Sequence, residues 1–264
     1  MPKEMLTLVD KPLIQHAIEE AVEAGIEEFI IIINSGKEVL KDHFIANDTL
    51  NELLISRKKQ AELDYIRSFE MDESRIKFVY QEQPLGLGHA VWCAKDLIGD
   101  EPFAVLSCDD VILSKRGCLA QMVDAYSQVG GNVLAADTVP LETVNKYGIL
   151  DVANEDDRIT PINAMVEKPN VEDAPSTLSI RGRYILQPEI FDYLDQHNTG
   201  AGGEIQLTDA IASMIGNQAV HAFRFDGQLF DCGSKIGYVQ ATLAYALERD
   251  DLSADVRQTI AQYL

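Results

Sequence analysis

The stretch Phe103-Ala-Val-Leu-Ser-Cys-Asp-Asp-Val-Ile112 constrains the fold more than any other. Its apolar run, Phe103 to Leu106, comes directly after Pro102 and shortly before two adjacent carboxylates. Such a run reads as a strand buried on both faces, as in a parallel sheet covered by helices. Asp109 and Asp110 then emerge at the strand's carboxyl end, where open α/β sheets bind ligands. A carboxylate there either holds a hard divalent cation such as Mg²⁺, or caps the next helix and stands in solvent. These residues alone leave both readings open.

The flanking pattern sets the class. Pro12 opens a helical stripe of Leu13, Ile14, Ala17, Ile18, Ala21 and Val22, and Gly25 is placed to end it. Five apolar residues at 29–33 follow as a buried strand, and this helix-then-strand alternation defines an α/β protein. The same reasoning predicts helices over 37–44, 49–69, 89–98, 119–126, 188–197, 206–215, 235–248 and 254–263. Strands are predicted over 76–80, 132–136, 148–152, 164–167, 179–186 and 220–225, and 228–231 leads into Gly233. The expected architecture is a Rossmann-like mixed, mostly parallel sheet sandwiched by helices. It forms one domain over 1–264, with a β-rich subdomain at about 140–186.

Composition narrows the function. The 264 residues, 46% apolar, suffice for a sizeable core. No run of about 18 apolar residues is present, so no membrane span is expected. The start, Met-Pro-Lys-Glu-Met, lacks a signal-peptide pattern. Cys93, Cys108, Cys118 and Cys232 show no C-x-x-C spacing, which predicts buried thiols in a reducing compartment, the cytoplasm. A net charge of −21 repels nucleic acid and acidic membranes. A phosphate substrate would need a metal ion and a few lysines to overcome that field locally.

Five segments carry a more specific message. They are Pro2-Lys3-Glu4-Met5-Leu6 with Val9-Asp10-Lys11-Pro12, then Gly86-Leu87-Gly88-His89-Ala90, then Asp109-Asp110, then Val166-Glu167-Lys168-Pro169. The last is Gly202-Gly203-Glu204-Ile205-Gln206-Leu207-Thr208-Asp209 with Asp231-Cys232-Gly233. In this order and spacing the chain resembles the bacterial UTP–glucose-1-phosphate uridylyltransferases of the sugar-nucleotide pyrophosphorylase superfamily. The resemblance runs from Met1 to about Glu248.

The resemblance implies a role for each segment. Lys3 matches the last residue of a phosphate-contacting signature. Gln81 and Gly86 match the reader of the uracil edge, with the amide meeting the base and the glycine allowing close backbone approach. Asp109 and Asp231 match a carboxylate pair for Mg²⁺, with Asp110 as a neighbouring cap or support. Tyr147-Gly148 matches a sugar-contacting turn, Glu167 an acceptor of glucose hydroxyl hydrogen bonds, and Lys168 the cation on the phosphate of glucose 1-phosphate. Glu204 either reaches the sugar or starts the helix at Gln206. His89 and Trp92 read as packing residues, and Cys108 stands where these proteins usually have proline. The reaction implied is direct displacement of pyrophosphate from UTP by glucose 1-phosphate, and the partner implied is a second copy of the chain, as a homodimer or homotetramer.

One part of the family pattern has no counterpart. The Gly-x-Gly-Thr-Arg loop that precedes Pro-Lys in the family, and the strand before it, find no match in this sequence. Two expectations therefore stand side by side: a uridylyltransferase lacking that loop, with little or no turnover as this chain, or a non-catalytic homologue that binds sugar phosphate or modulates the active enzyme.

Overall fold

The computed structural model describes residues 2–263; Met1 and Leu264, the ends of the expected resemblance and domain, lie outside the described residues. A 3₁₀ turn at Lys3–Met5 leads into a small hairpin of β1 (Thr7–Leu8) and β2 (Lys11–Pro12). Then follow α1 (Leu13–Glu23), β3 (Phe29–Ile33), α2 (Val39–Phe44), α3 (Asp48–Ser56), α4 (Gln60–Arg67) and β4 (Ile76–Tyr80). The middle of the chain contributes α5 (Leu87–Trp92), α6 (Lys95–Ile98), β5 (Phe103–Leu106), β6 (Asp110–Leu113), α7 (Cys118–Val129) and β7 (Asn132–Thr138). The β-rich region supplies β8 (Gly148–Val152), β9 (Ile159–Glu167) and β10 (Leu178–Leu186). The last third holds α8 (Ile190–Leu194), α9 (Leu207–Met214), β11 (Val220–Arg224), β12 (Gln228–Asp231), α10 (Lys235–Glu248) and α11 (Ser253–Ile260).

Six strands form the main sheet in the order β5-β10-β7-β11-β9-β8, and β3 with β4 and β6 with β12 form two-stranded sheets. Strand β7 shows why this sheet can be sandwiched. Val133 and Ala135 enter one core cluster with Phe29, Ile31, Leu119 and Met122, while Leu134 and Ala136 enter another with Ile190, Leu207 and Ile211. Successive residues face opposite sides of a strand and residues two apart share one, so an uninterrupted apolar run buries both faces. Strands β8 and β9 extend the same sheet, and β8 also touches β10 at Ser179.

The helix-covered mixed α/β architecture matches the expectation; several details differ. Among the named strands of the described residues, β3–β4 and β7–β11 pair parallel and the other pairings are antiparallel, so the sheet is mixed without being mostly parallel. The reason is β10, a nine-residue return strand that runs antiparallel to both β5 and β7. Strand β5 is half-buried rather than buried on both faces, because it lies at the edge of the main sheet with β10 as its partner.

The helix expected over 49–69 is two helices. Lys58, at φ 56°, stands at the left-handed position just past α3, with Lys59 N–H donating to Leu54 O and Lys58 N–H to Ile55 O. That is the hydrogen-bond pattern Gly25 makes after α1, where Ile26 N–H donates to Ala21 O and Gly25 N–H to Val22 O. The first stop was legible because it uses glycine; the second uses lysine. The helices expected over 89–98 and 188–197 are likewise shorter, broken at Cys93-Ala94 and reduced to Ile190–Leu194. All four cysteines are free, and among the described residues no helix is long and apolar enough to cross a membrane.

Candidate active site

Asp109 and Asp231 arrive at one rim from two different strands. Asp231 ends β12 and stands opposite Asp110, the first residue of β6. Cys232 N–H donates to Asp109 O at 2.8 Å, which ties the residue after β12 to the residue before β6. A methyl group placed on Gly233 would lie 3.0 Å from Asp231 Oδ1 and 3.4 Å from Asp109 Oδ2. The two carboxylates therefore flank one small volume. Asp110 turns the other way, and its Oδ2 accepts from Gly182 N–H at 2.9 Å. Burial pushes the Asp110 carboxyl up, against the opposing pull of that N–H and of Arg183. It supports the rim from beneath.

Among the described residues no group of three or more His, Cys, Asp or Glu side chains converges as a metal cage. Two carboxylates on a half-exposed rim suit a hard cation that takes its remaining ligands from water and substrate oxygens. Lys3 already lies on this rim, with Nζ 2.6 Å from Asp109 Oδ2. Partial burial opposes its charge, but the hydrogen bond and charge of Asp109 outweigh that and hold the ammonium above its usual range. The 3₁₀ turn at Lys3–Met5 delivers it there.

A second cluster forms where β8 meets β9. Gly148 stands opposite Glu167, and Lys168 N–H donates to Tyr147 O at 3.0 Å. Lys168 adopts φ 49° to turn out of the strand, and its Nζ lies 3.3 Å from Glu167 Oε1. A methyl on Gly148 would meet Glu167 Oε2 at 3.1 Å and the Thr208 methyl at 3.2 Å, so the start of α9 closes over this turn.

The third cluster holds Gln81, Gly86 and Glu204. Gln81 N–H continues the strand pairing by donating to Ile33 O at 2.8 Å. Its Nε2 lies 3.1 Å from Gly86 O and 3.0 Å from Nδ1 of His89. Gly86, at φ 109° and ψ 175°, occupies a region that only glycine enters readily. A methyl on Gly86 or on Gly88 would stand 2.7 Å from Ile205 O. The Gly-Leu-Gly and Glu-Ile-Gln segments are thus two halves of one contact, completed by Ile205 N–H donating to Leu85 O at 2.7 Å. Glu204 is exposed, accepts from Gln206 Nε2 at 3.0 Å and makes no hydrogen bond to the Glu167–Lys168 turn.

Two arginines of β10 have no place in the sequence reading. Arg183 is almost fully buried and forms an ion pair with Glu20 at 2.8 Å, while Nη1 donates to Ser107 O, just before the Asp109 rim. Arg181, 6% exposed, stacks over Tyr147 at 4.6 Å, and its Nε is buried without a partner. The only available signal was two cations in an otherwise strand-like run, Leu178–Leu186. A cleft of about 500 Å³ lined by Lys115, Gln121, Arg158 and Asp226 contains none of the expected site residues.

The helix-covered mixed α/β fold is that of a nucleotidyl transferase, a class whose enzymes generally use a divalent metal. The chain belongs to that family, since residues 1–248 match the nucleotidyl transferase model. It is 47% identical over 236 residues to the UTP–glucose-1-phosphate uridylyltransferase of Komagataeibacter xylinus, covering 89% of this chain and 83% of that one. It is 44% identical over 252 residues to the Bacillus subtilis protein of the same name, covering 96% and 86%. The UTP-bound UDP-glucose pyrophosphorylase of Acinetobacter baumannii superposes with a TM-score of 0.90 at 40% identity, over 99% of this chain and 91% of that one.

Proposed function

We propose that this chain transfers a uridylyl group from UTP to glucose 1-phosphate, giving UDP-glucose and pyrophosphate. The observation that carries the reading is the convergence of Asp109, Asp231 and Lys3 on one rim, in a chain that shares 40–47% identity with proteins of that activity.

In this reading a phosphate oxygen of glucose 1-phosphate forms the new bond to the α-phosphorus of UTP. The bond from that phosphorus to the pyrophosphate oxygen breaks. The attacking oxygen is already anionic, so no side chain needs to take a proton; placement and charge neutralisation carry the rate. Asp109 and Asp231 are assigned to hold Mg²⁺, which when bound supplies positive charge to the triphosphate. Lys3 brings a second cation to the same rim. Lys168 is assigned to the sugar phosphate, with Glu167 and the Gly148 backbone on the glucose hydroxyls. Gln81 and Gly86 are assigned to the uracil edge. Glu204, bonded to Gln206, takes the conservative role of ordering the start of α9. Self-association is assigned to α10, whose Ile236, Val239 and Leu243 are exposed on one stripe.

A pyrophosphate-release assay with UTP, glucose 1-phosphate and MgCl₂ tests this reading. The expected result, against the expectation of little or no turnover drawn from the unmatched Gly-x-Gly-Thr-Arg loop, is stoichiometric UDP-glucose and pyrophosphate, abolished by EDTA. Absence of UDP-glucose and pyrophosphate would overturn it, whether or not UTP binds.

A further inference from the structure

Gln81 leaves the end of β4 with its amide held from two sides. A carbonyl oxygen can only accept, so the amide nitrogen must be the atom that faces Gly86 O at 3.1 Å. The same nitrogen faces His89 Nδ1 at 3.0 Å, so Nδ1 must accept as well, and the ring carries its proton on Nε2. The Cys93 thiol, 3.8 Å from that Nδ1, is also a donor toward it. Both amide hydrogens of Gln81 are thus committed inward. Oε1 is left with no hydrogen bond among the described residues.

The His89 ring cannot easily turn. It is buried, lies 5.6 Å from the stacked Trp92 ring, and meets His197 edge-on at 6.1 Å. Trp92 is itself held by donating to Asp195, which also pairs with Lys95. Burial, with a smaller contribution from His197, keeps His89 below the ordinary histidine range and hence neutral near pH 7.

We propose that His89 is a positioning residue that locks Gln81 as a hydrogen-bond acceptor, so that the site selects a pyrimidine carrying hydrogen on N3, uracil or thymine, over cytosine. This rests on the assignment of Gln81 to the base. An unrestrained amide can flip and present nitrogen instead. The locked one meets the N3 lone pair of cytosine with a second lone pair, while uracil N3 offers it a donor.

The test is calorimetric binding of UTP and CTP, each with MgCl₂, to the full chain and to His89→Phe and His89→Asn. The full chain is expected to prefer UTP by at least about 10-fold. His89→Phe removes the acceptor and should bring the preference within about 3-fold. His89→Asn returns an acceptor oxygen near the position of Nδ1 and should restore most of it. Acidification gives a second readout that does not depend on the phenylalanine variant folding. Protonation turns Nδ1 into a donor, so the preference should decline in the full chain and not in His89→Asn. Asp195, Lys95, Cys93 and His197 are the ionisable groups around the ring, and all are common to both proteins.

Unchanged preference in folded His89→Phe, or equal acid responses in the full chain and His89→Asn, would overturn the assignment. UTP preference that responds to these variants in a chain that makes no UDP-glucose supports the lock and overturns the proposed reaction. UDP-glucose synthesis by variants with the original preference overturns the lock alone. A chain that binds neither nucleotide overturns both.

Discussion

Asp231 stands directly across the antiparallel ladder from Asp110, and the neighbour of Asp110, Asp109, shares with Asp231 the small volume in front of Gly233. Asp110 is turned inward to Gly182 N–H, while Asp231 Oδ1 accepts from Gly233 N–H at 2.9 Å on the same side as Asp109, and the proposed ligand pair is therefore Asp109 and Asp231. Asp109→Asn and Asp231→Asn should each lower UDP-glucose synthesis by about 100-fold or more, since each removes charge that the reaction needs. Each should melt within about 4 °C of the parent, because neither side chain is part of the core. Parallel activity and melting measurements check both statements.

The buried Arg183–Glu20 pair makes a different demand. Glu20 accepts from Arg183 and also from Leu119 N–H at the start of α7. Arg183→Met leaves that carboxylate buried and uncompensated and should cost about 3–5 kcal/mol in denaturant unfolding. Adding Glu20→Gln to Arg183→Met removes the orphaned charge and should recover part of the loss.

Gly86→Ala introduces a methyl 2.7 Å from Ile205 O and asks alanine to adopt φ 109°. The expected stability cost is about 1–3 kcal/mol. Because the displaced segment also carries Thr208 against the Gly148 turn, the apparent KM for both substrates should rise. Steady-state kinetics with each substrate varied in turn check this.

Acid should weaken the fold through its histidines. His43 stacks on Phe69 at 4.6 Å, and its Nε2 bonds Gln15 Oε1 at 3.1 Å. Burial lowers its pKa, and burial also lowers that of His16 despite an opposing contribution from Glu19. The unfolded chain therefore takes up protons first as pH falls. Stability from these groups is complete above the unfolded value of 6.5 and is lost as pH drops from there through the lower folded values. Melting temperature should fall between about pH 7 and about pH 5, and His43→Gln should flatten that slope.

Local residues determined a good part of this protein. The runs at Phe29–Ile33 and 132–136, the stop at Gly25 and the helix Lys235–Glu248 are all legible, because periodicity and glycine chemistry act over a few neighbouring residues. The order of the short motifs pointed to the family in the same way. What only the tertiary structure decided is how distant parts meet where no motif announced it: Ile205 against Gly86 and Gly88, Glu20 under Arg183. Strand β10 is the clearest instance. Its sequence, LSIRGRYIL, reads as half polar, yet every residue is buried. Arg183 can be buried because α1 brings Glu20 to it, and a charge leaves water only where the rest of the chain supplies its partner.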